Sequence, residues 1–302
     1  MHLLKITRPI NLLLITLLLI VVKYGFLEAM HFPTSLNSLS FFLLVIATIC
    51  IAAGGNIIND IYDVDTDKIN NPKRVLIGVD ISEKKASNLY IIFTSIGVLA
   101  GFSLSNLIGH PSLAAVFVII AALLYGYSVS FKTVFLLGNV VVSLLVAMVL
   151  ITSIIFDLYP AIEEQITHKT LTATIILLQY ALFAFSINLI REIIKDLQDI
   201  NGDRKGGRNS LPIAIGRQRT VYVAFGLTVC LLVGIIYHLY MHIYSAKPLM
   251  LYFLFLIIAP LFFVLVNIWN AKKKSDFSKI STLLKIIMFL GICSLLIYPY
   301  TF

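Results

Sequence analysis

Asn59, Asp63 and Asp67 recur at intervals of four residues in the run Asn59-Asp60-Ile61-Tyr62-Asp63-Val64-Asp65-Thr66-Asp67, which follows directly on an apolar stretch ending near Ile58. On a continuing helix these three side chains share one face, with neighbours about 5–6 Å apart. Two carboxylates and an amide oxygen in register suit a hard cation. Magnesium in particular binds through one or two carboxylates, retained waters and the phosphate oxygens of a substrate. Asp60 and Asp65 lie off that stripe. A polar loop would also be rich in Asp and Asn, but three oxygen side chains in strict register at a membrane helix end carry a desolvation cost that argues for use.

A second run, from Arg191 to Lys205, carries Asp196, Asp199 and Asp203 at spacings of three and four, again one helical face. Gly202 weakens the last turn, which places Asp203 towards a helix end. Cations trail both runs: Lys73 and Arg74 after the first, Arg204 and Lys205 after the second. The planar guanidinium fork matches phosphate oxygens, so Arg74 is the leading candidate for a phosphate contact, with Lys132, Lys195 and Arg204 as further cations. Two acidic sites followed by cations point to a polyanion held through metal ions. Two bridging cations on a diphosphate would relieve the repulsion among this many carboxylates.

The elements that position these residues follow from composition. A chain of 302 residues that is 59% hydrophobic and 13% charged, with mean hydropathy +0.97, is excluded from the water-soluble class. A hydrocarbon core of about 30 Å needs roughly 20 apolar residues per helical crossing. Nine stretches qualify, near residues 10–28, 38–58, 88–108, 112–130, 134–155, 171–193, 219–240, 249–269 and 280–300. Alternating strand patterns are missing, which excludes a barrel. The expected fold is an all-α integral membrane protein, about nine transmembrane helices around a central cavity. The first stretch lacks a small-x-small cleavage site and reads as helix one rather than a signal peptide.

The formal net charge of +8 is arranged for topology rather than for nucleic acid. With the N-terminus in the cytoplasm, 19 of the 23 Lys and Arg fall on the cytoplasmic side, Lys23, Lys169 and Lys247 fall opposite, and Lys285 lies inside the last helix. Positive residues concentrate on the cytoplasmic side of membrane proteins. Both acidic runs then face one cavity on that side of a multi-pass cell-membrane protein. The acidic segment 157–169, with Asp157, Glu163 and Glu164, reads as a solvated loop on the opposite side. Cys50, Cys230 and Cys293 read as small core residues. Gly54-Gly55 reads as a close helix contact, and His238 and His242 as interfacial residues away from the acidic runs.

These residues resemble the UbiA-type intramembrane prenyltransferases. The first run matches that family's N-D-x-x-D-x-x-x-D pattern at Asn59, Asp60, Asp63 and Asp67, and the second matches its D-x-x-x-D pattern at Asp199 and Asp203. The order and spacing of the motifs and the nine-helix count agree along essentially the whole chain. The resemblance implies a single transmembrane prenyltransferase domain over residues 1–302. It also implies Mg²⁺ as cofactor, an isoprenyl diphosphate as donor and membrane lipids as surroundings. Asn59, Asp63, Asp67, Asp196, Asp199 and Asp203 would hold the metal, while Asn56, Asn59, Arg74, Tyr127, Lys132, Lys195 and Arg204 would bind substrate. Asp60 or Asp196 would take the proton of the acceptor hydroxyl.

Within the family the chain is most similar to the branch that prenylates geranylgeranylglyceryl phosphate. It shares with that branch Lys5-Ile6-Thr7-Arg8-Pro9-Ile10-Asn11, the Asn70-x-Pro72-x-Arg74 turn and the run Arg191-Glu192-Ile193-x-Lys195-Asp196. The family's Tyr-x-x-x-Lys pattern has Ser128 at its first position here, with Tyr127 beside it. One rival keeps the fold and changes the acceptor to an aromatic acid of quinone biosynthesis, dihydroxynaphthoate or hydroxybenzoate. Members of that kind often carry Arg where this chain has Val64. A second rival, a cation transporter or channel, would need acidic partners at the opposite helix ends.

Overall fold

The computed structural model describes residues 2–72 and 75–301, with backbone alone at His2, Leu3 and Glu164. Among these residues nine helices are long and apolar enough to cross a membrane. They are α1 (Pro9–Glu28), α2 (Ser38–Asn70), α3 (Glu83–Leu107), α4 (Pro111–Val129), α5 (Leu137–Glu163), α6 (His168–Lys205), α7 (Arg217–Ile243), α8 (Lys247–Asn270) and α9 (Lys274–Tyr300). Backbone N–H and C=O groups have no water to bond in hydrocarbon, which is why the spans are helical.

Two helices exceed the apolar stretches that announce them. The stretch 38–58 continues as α2 to Asn70, and the stretch 171–193 continues as α6 to Lys205. Both overhangs carry the acidic runs, so the runs are helical and share an end of the bundle. Local signals fix where these helices begin: Asn37 Oδ1 accepts from Ser40 N at 2.9 Å ahead of α2, and Thr167 and Thr170 form a reciprocal capping box at the start of α6. Side-chain oxygens at these positions satisfy donors that no helical carbonyl can reach.

The α2 helix packs against α3, α4 and α6, and α6 packs in turn against α5, α7 and α9. Gly54 and Gly55 let the first of these packings close. A β-carbon at Gly54 would stand 2.4 Å from Thr94 Oγ1 of α3, and one at Gly55 would stand 2.8 Å from Leu124 of α4. Small residues are what allow membrane helices to approach this closely. Of the three cysteines, Cys50 and Cys293 are partly buried, whereas Cys230 is exposed on the outside of the bundle rather than in its core.

Within the segment 157–169, where Glu163 and residues 165, 166, 168 and 169 are exposed, Asp157 corrects the expectation of a solvated loop. Asp157 is 2% exposed, in a π-helical turn of α5. Its Oδ1 accepts from Ser35 N at 3.0 Å, Leu36 N at 2.9 Å and Lys23 Nζ at 3.2 Å, and Lys23 Nζ also donates to the Leu36 carbonyl at 2.8 Å. The lone sequence position of Asp157 gave no hint of Lys23, a partner 134 residues away. These bonds tie α1 and the α1–α2 connection to α5 at the end remote from the acidic runs. Replacing Asp157 by Ala leaves the buried ammonium only Glu28 at 3.5 Å and the Leu36 carbonyl, and the expected result is a loss of up to about 3–5 kcal/mol of stability. Chemical unfolding in detergent measures it.

Candidate active site

The two acidic helix ends meet where a side chain of one bonds the backbone of the other. Asn70, the last residue of α2, accepts at Oδ1 from Gly202 N of α6 at 3.0 Å. A β-carbon at Gly202 would lie 2.3 Å from Asn70 Nδ2, so only glycine lets the helices approach here. Lys274, opening α9, donates to the Asn70 carbonyl at 2.8 Å and stands 3.5 Å from Asp199.

Inward from that contact, Asp63 and Asp203 flank a single guanidinium. Arg208 Nη2 donates to Asp63 Oδ1, and Arg208 Nη1 donates to Asp203 Oδ1 at 3.3 Å. Lys132, from the connection between α4 and α5, donates to the same Asp63 oxygen at 2.6 Å. Asp63, Asp203 and Lys132 have side chains 13%, 5% and 8% exposed. At this depth an unpaired charge would be strongly disfavoured. Burial pulls the Lys132 ammonium below its ordinary range against the attraction of Asp63. For Arg208 burial acts in the same direction, but Asp63 and Asp203 outweigh it and hold the guanidinium firmly charged.

A cavity opens beside this cluster, lined by Tyr127, Lys132, Glu192, Asp196, Asp203 and Arg208 among others. Asp196 reaches it with one oxygen held by Asn139 Nδ2 at 2.8 Å. A smaller recess lies along α2 between Asp60, Val64 and Asp67. Asp60 is off the Asn59–Asp63–Asp67 stripe, yet it is engaged: Arg8 Nη2 donates to it at 2.5 Å. Asp65 points away, 94% exposed and paired with Lys68.

The remaining candidates fall out as follows. Asn59 Nδ2 donates to Asp63 at 2.8 Å, and Asn56 Nδ2 donates to the Thr7 carbonyl at 2.9 Å. Lys195 pairs with Glu192 rather than with an aspartate of its run. Arg204 is exposed, and the cation that enters the cluster is Arg208, four residues on. Arg74 lies outside the described residues. Sequence reasoning missed Arg208, Glu192 and Arg8 as members of the site. The run Arg-Lys-Gly-Gly-Arg contains several cations, and only the chain reversal after Lys205 selects which one folds back.

Three side chains of the acid and imidazole type do not converge tightly enough to hold a metal ion anywhere among the described residues. The acidic groups are instead separated by Arg208, Lys132 and Lys274. Two oxygens at the site are buried and under-satisfied: Asn59 Oδ1 has no hydrogen-bond partner, and Asp199 Oδ1 has only the Lys274 ammonium, 3.5 Å away. Buried acceptors are rarely left so, and both are hard oxygens of the kind that magnesium takes. The donor set therefore fits a metal that arrives with additional ligands from an anionic substrate.

Bundle and cluster together define a multi-helix membrane protein with two acidic helix ends joined through Arg208 and Lys132 at one pole. The chain belongs to the UbiA prenyltransferase family, whose family model matches residues 13–293. Among its relatives is the digeranylgeranylglyceryl phosphate synthase of Saccharolobus solfataricus, 31% identical over 278 residues, covering 90% of this chain and 89% of the relative. The enzyme of the same name from Methanosphaera stadtmanae is 30% identical, with 83% and 86% covered. A solved structure described as digeranylgeranylglyceryl phosphate synthase in membranes superposes with a TM-score of 0.63 at 26% identity, covering 100% of this chain and 98% of that one. A UbiA homolog from Archaeoglobus fulgidus, bound to DMAPP and Mg²⁺, shares the fold with a TM-score of 0.64 at 16% identity, covering 98% and 99%.

Proposed function

We propose that this prenyltransferase moves a geranylgeranyl group from geranylgeranyl diphosphate to geranylgeranylglyceryl phosphate, in one domain spanning residues 1–302, with the reaction on the cytoplasmic side of the cell membrane. The observation that carries the reading is the convergence of Arg208 and Lys132 on Asp63, with Asp203 across the guanidinium. These two cations stand where a diphosphate entering the cavity meets them. The names of relatives about 30% identical over most of the chain support the choice of donor and acceptor.

Asn59, Asp63, Asp67, Asp196, Asp199 and Asp203 are the groups to hold Mg²⁺, which when bound supplies neutralisation of the charge that grows on the leaving diphosphate. Arg208 and Lys132 turn from Asp63 to the phosphate oxygens and add direct contacts. The allylic C–O bond breaks, the diphosphate leaves, and the glycerol hydroxyl oxygen forms the new C–O bond. Its proton goes to Asp196 or Asp60, the carboxylates at the cavity and the recess.

The test offers purified protein Mg²⁺ and labelled geranylgeranyl diphosphate, with geranylgeranylglyceryl phosphate and aromatic acids as parallel acceptors. Product from the glycerol lipid alone supports the reading, and product from an aromatic acid alone reverses the acceptor. Stripping divalent ions with EDTA is expected to stop turnover, and added Mg²⁺ to restore it. The melting temperature should barely move, because Arg208 and Lys132 already neutralise Asp63 in the metal-free chain.

A further inference from the structure

Below the acidic cluster lies a second tier of charges. Three helices share a register mark at the outer end of the site, where Gly202 and Lys274 both bond Asn70. Counting inward, Asp60 is ten residues from Asn70, Glu192 ten from Gly202 and Lys285 eleven from Lys274. At 1.5 Å per residue all three lie roughly 15–17 Å below the mark. Arg8 joins this level through Asp60, and it sits immediately before the first residue of the α1 span. The tier is therefore level with the start of the α1 span.

The tier is held in place. Arg8 has φ +55°, a left-handed conformation unusual for arginine, and such backbone persists only where its surroundings dictate it. Here Asn56 fixes the Thr7 carbonyl on one side, and Lys285 Nζ donates to Asn11 Oδ1 at 2.8 Å on the other. On α6, Glu192 is 8% exposed and receives Lys195 Nζ at 2.8 and 3.0 Å and Arg191 Nη1 at 2.9 Å. Arg8 is thus held by Asp60, and Arg191 and Lys195 by Glu192, with the charges of Asp63 and Asp67 also acting on Arg8. Arg191 Nε is buried with no hydrogen-bond partner. Glu192 lines the same cavity as Lys132 and Arg208, so the tier opens onto the space where the donor's diphosphate is placed.

We propose that Arg8, Arg191 and Lys195, gathered around Asp60 and Glu192, bind the phosphate monoester of the lipid acceptor. The inference rests on the acceptor being a glycerol lipid phosphate. Donor and acceptor then both bring phosphate into one cavity, and two like-charged substrates need separate cations to lie side by side. Arg208 and Lys132 serve the diphosphate in the outer tier. The inner tier meets the acceptor's phosphate, with the glycerol hydroxyl reaching into the cavity. Lys195 accordingly belongs to the acceptor rather than to the donor.

The experiment compares geranylgeranylglyceryl phosphate with its dephosphorylated glycerol analogue at saturating donor, for wild type, Arg191→Gln and Arg191→Lys in lipid nanodiscs. Arg191→Gln should raise the acceptor KM at least roughly tenfold, the loss of a charged hydrogen bond, and leave the donor KM unchanged. That penalty should disappear with the dephosphorylated acceptor, and Arg191→Lys should recover part of it. An equal penalty on both acceptors, or a matching rise in donor KM, overturns the proposal. If Arg191→Gln does not fold, Lys195→Gln, whose side chain is 39% exposed, carries the same measurement. A wild type that prenylates neither glycerol lipid would instead sink the acceptor assignment on which the inference rests.

Discussion

Asp63→Asn is expected to lower kcat/KM for prenyl transfer by on the order of 10³-fold, with the protein still extracted and purified as the same folded species. Asp63 is the one carboxylate in contact with both site cations, and it shares Arg208 with Asp203 on the opposing helix. An amide in its place keeps the size and removes the charge, so the two cations lose the anion that aligns them. Steady-state assays with labelled donor measure the effect. Asp65→Asn is the matched control, since that side chain is 94% exposed and is paired with Lys68 on the surface. It should turn over at the wild-type rate. Near-normal turnover by both Asp63→Asn and Asp199→Asn would remove the two-run site from the account.

Gly202→Val is expected to cut turnover by at least about 10²-fold, the scale on which small misplacements of reacting groups act. No chemistry is removed by this change. The new side chain would occupy the space of the Asn70 amide, 2.3 Å from where its first carbon must sit. It would also wedge α6 off α2 and break the 3.0 Å bond from Gly202 N to Asn70 Oδ1. Overpacking of this kind costs about 1–3 kcal/mol, so a lowered melting temperature should accompany the loss of rate. A variant with unchanged melting temperature and unchanged turnover would show that the helix contact does not set the site's geometry.

The bundle was legible because hydrocarbon imposes a length and a polarity on every crossing, and nine stretches met both. The acidic runs were legible because side chains spaced by three and four share a helical face, as Asn59 and Asp63 do. What escaped was long-range. Arg208 lies beyond the helix in a turn with several candidate cations, and only the fold places it against Asp63, 145 residues away. Arg8 reads as a topology residue until the fold sets it beside Asp60. Asp157 reads as solvated until Lys23 and two backbone amides close around it. Periodicity reports faces of single helices, while ion pairs between helices depend on which faces meet.

Arg208 and Lys132 seated on Asp63 make the resting pocket its own electrolyte. On the proposed function, an incoming pyrophosphate would not add charge to a bare acidic hollow; it would trade places with Asp63 for the same two counter-ions. The departure of the leaving anion would hand those counter-ions back to the carboxylate.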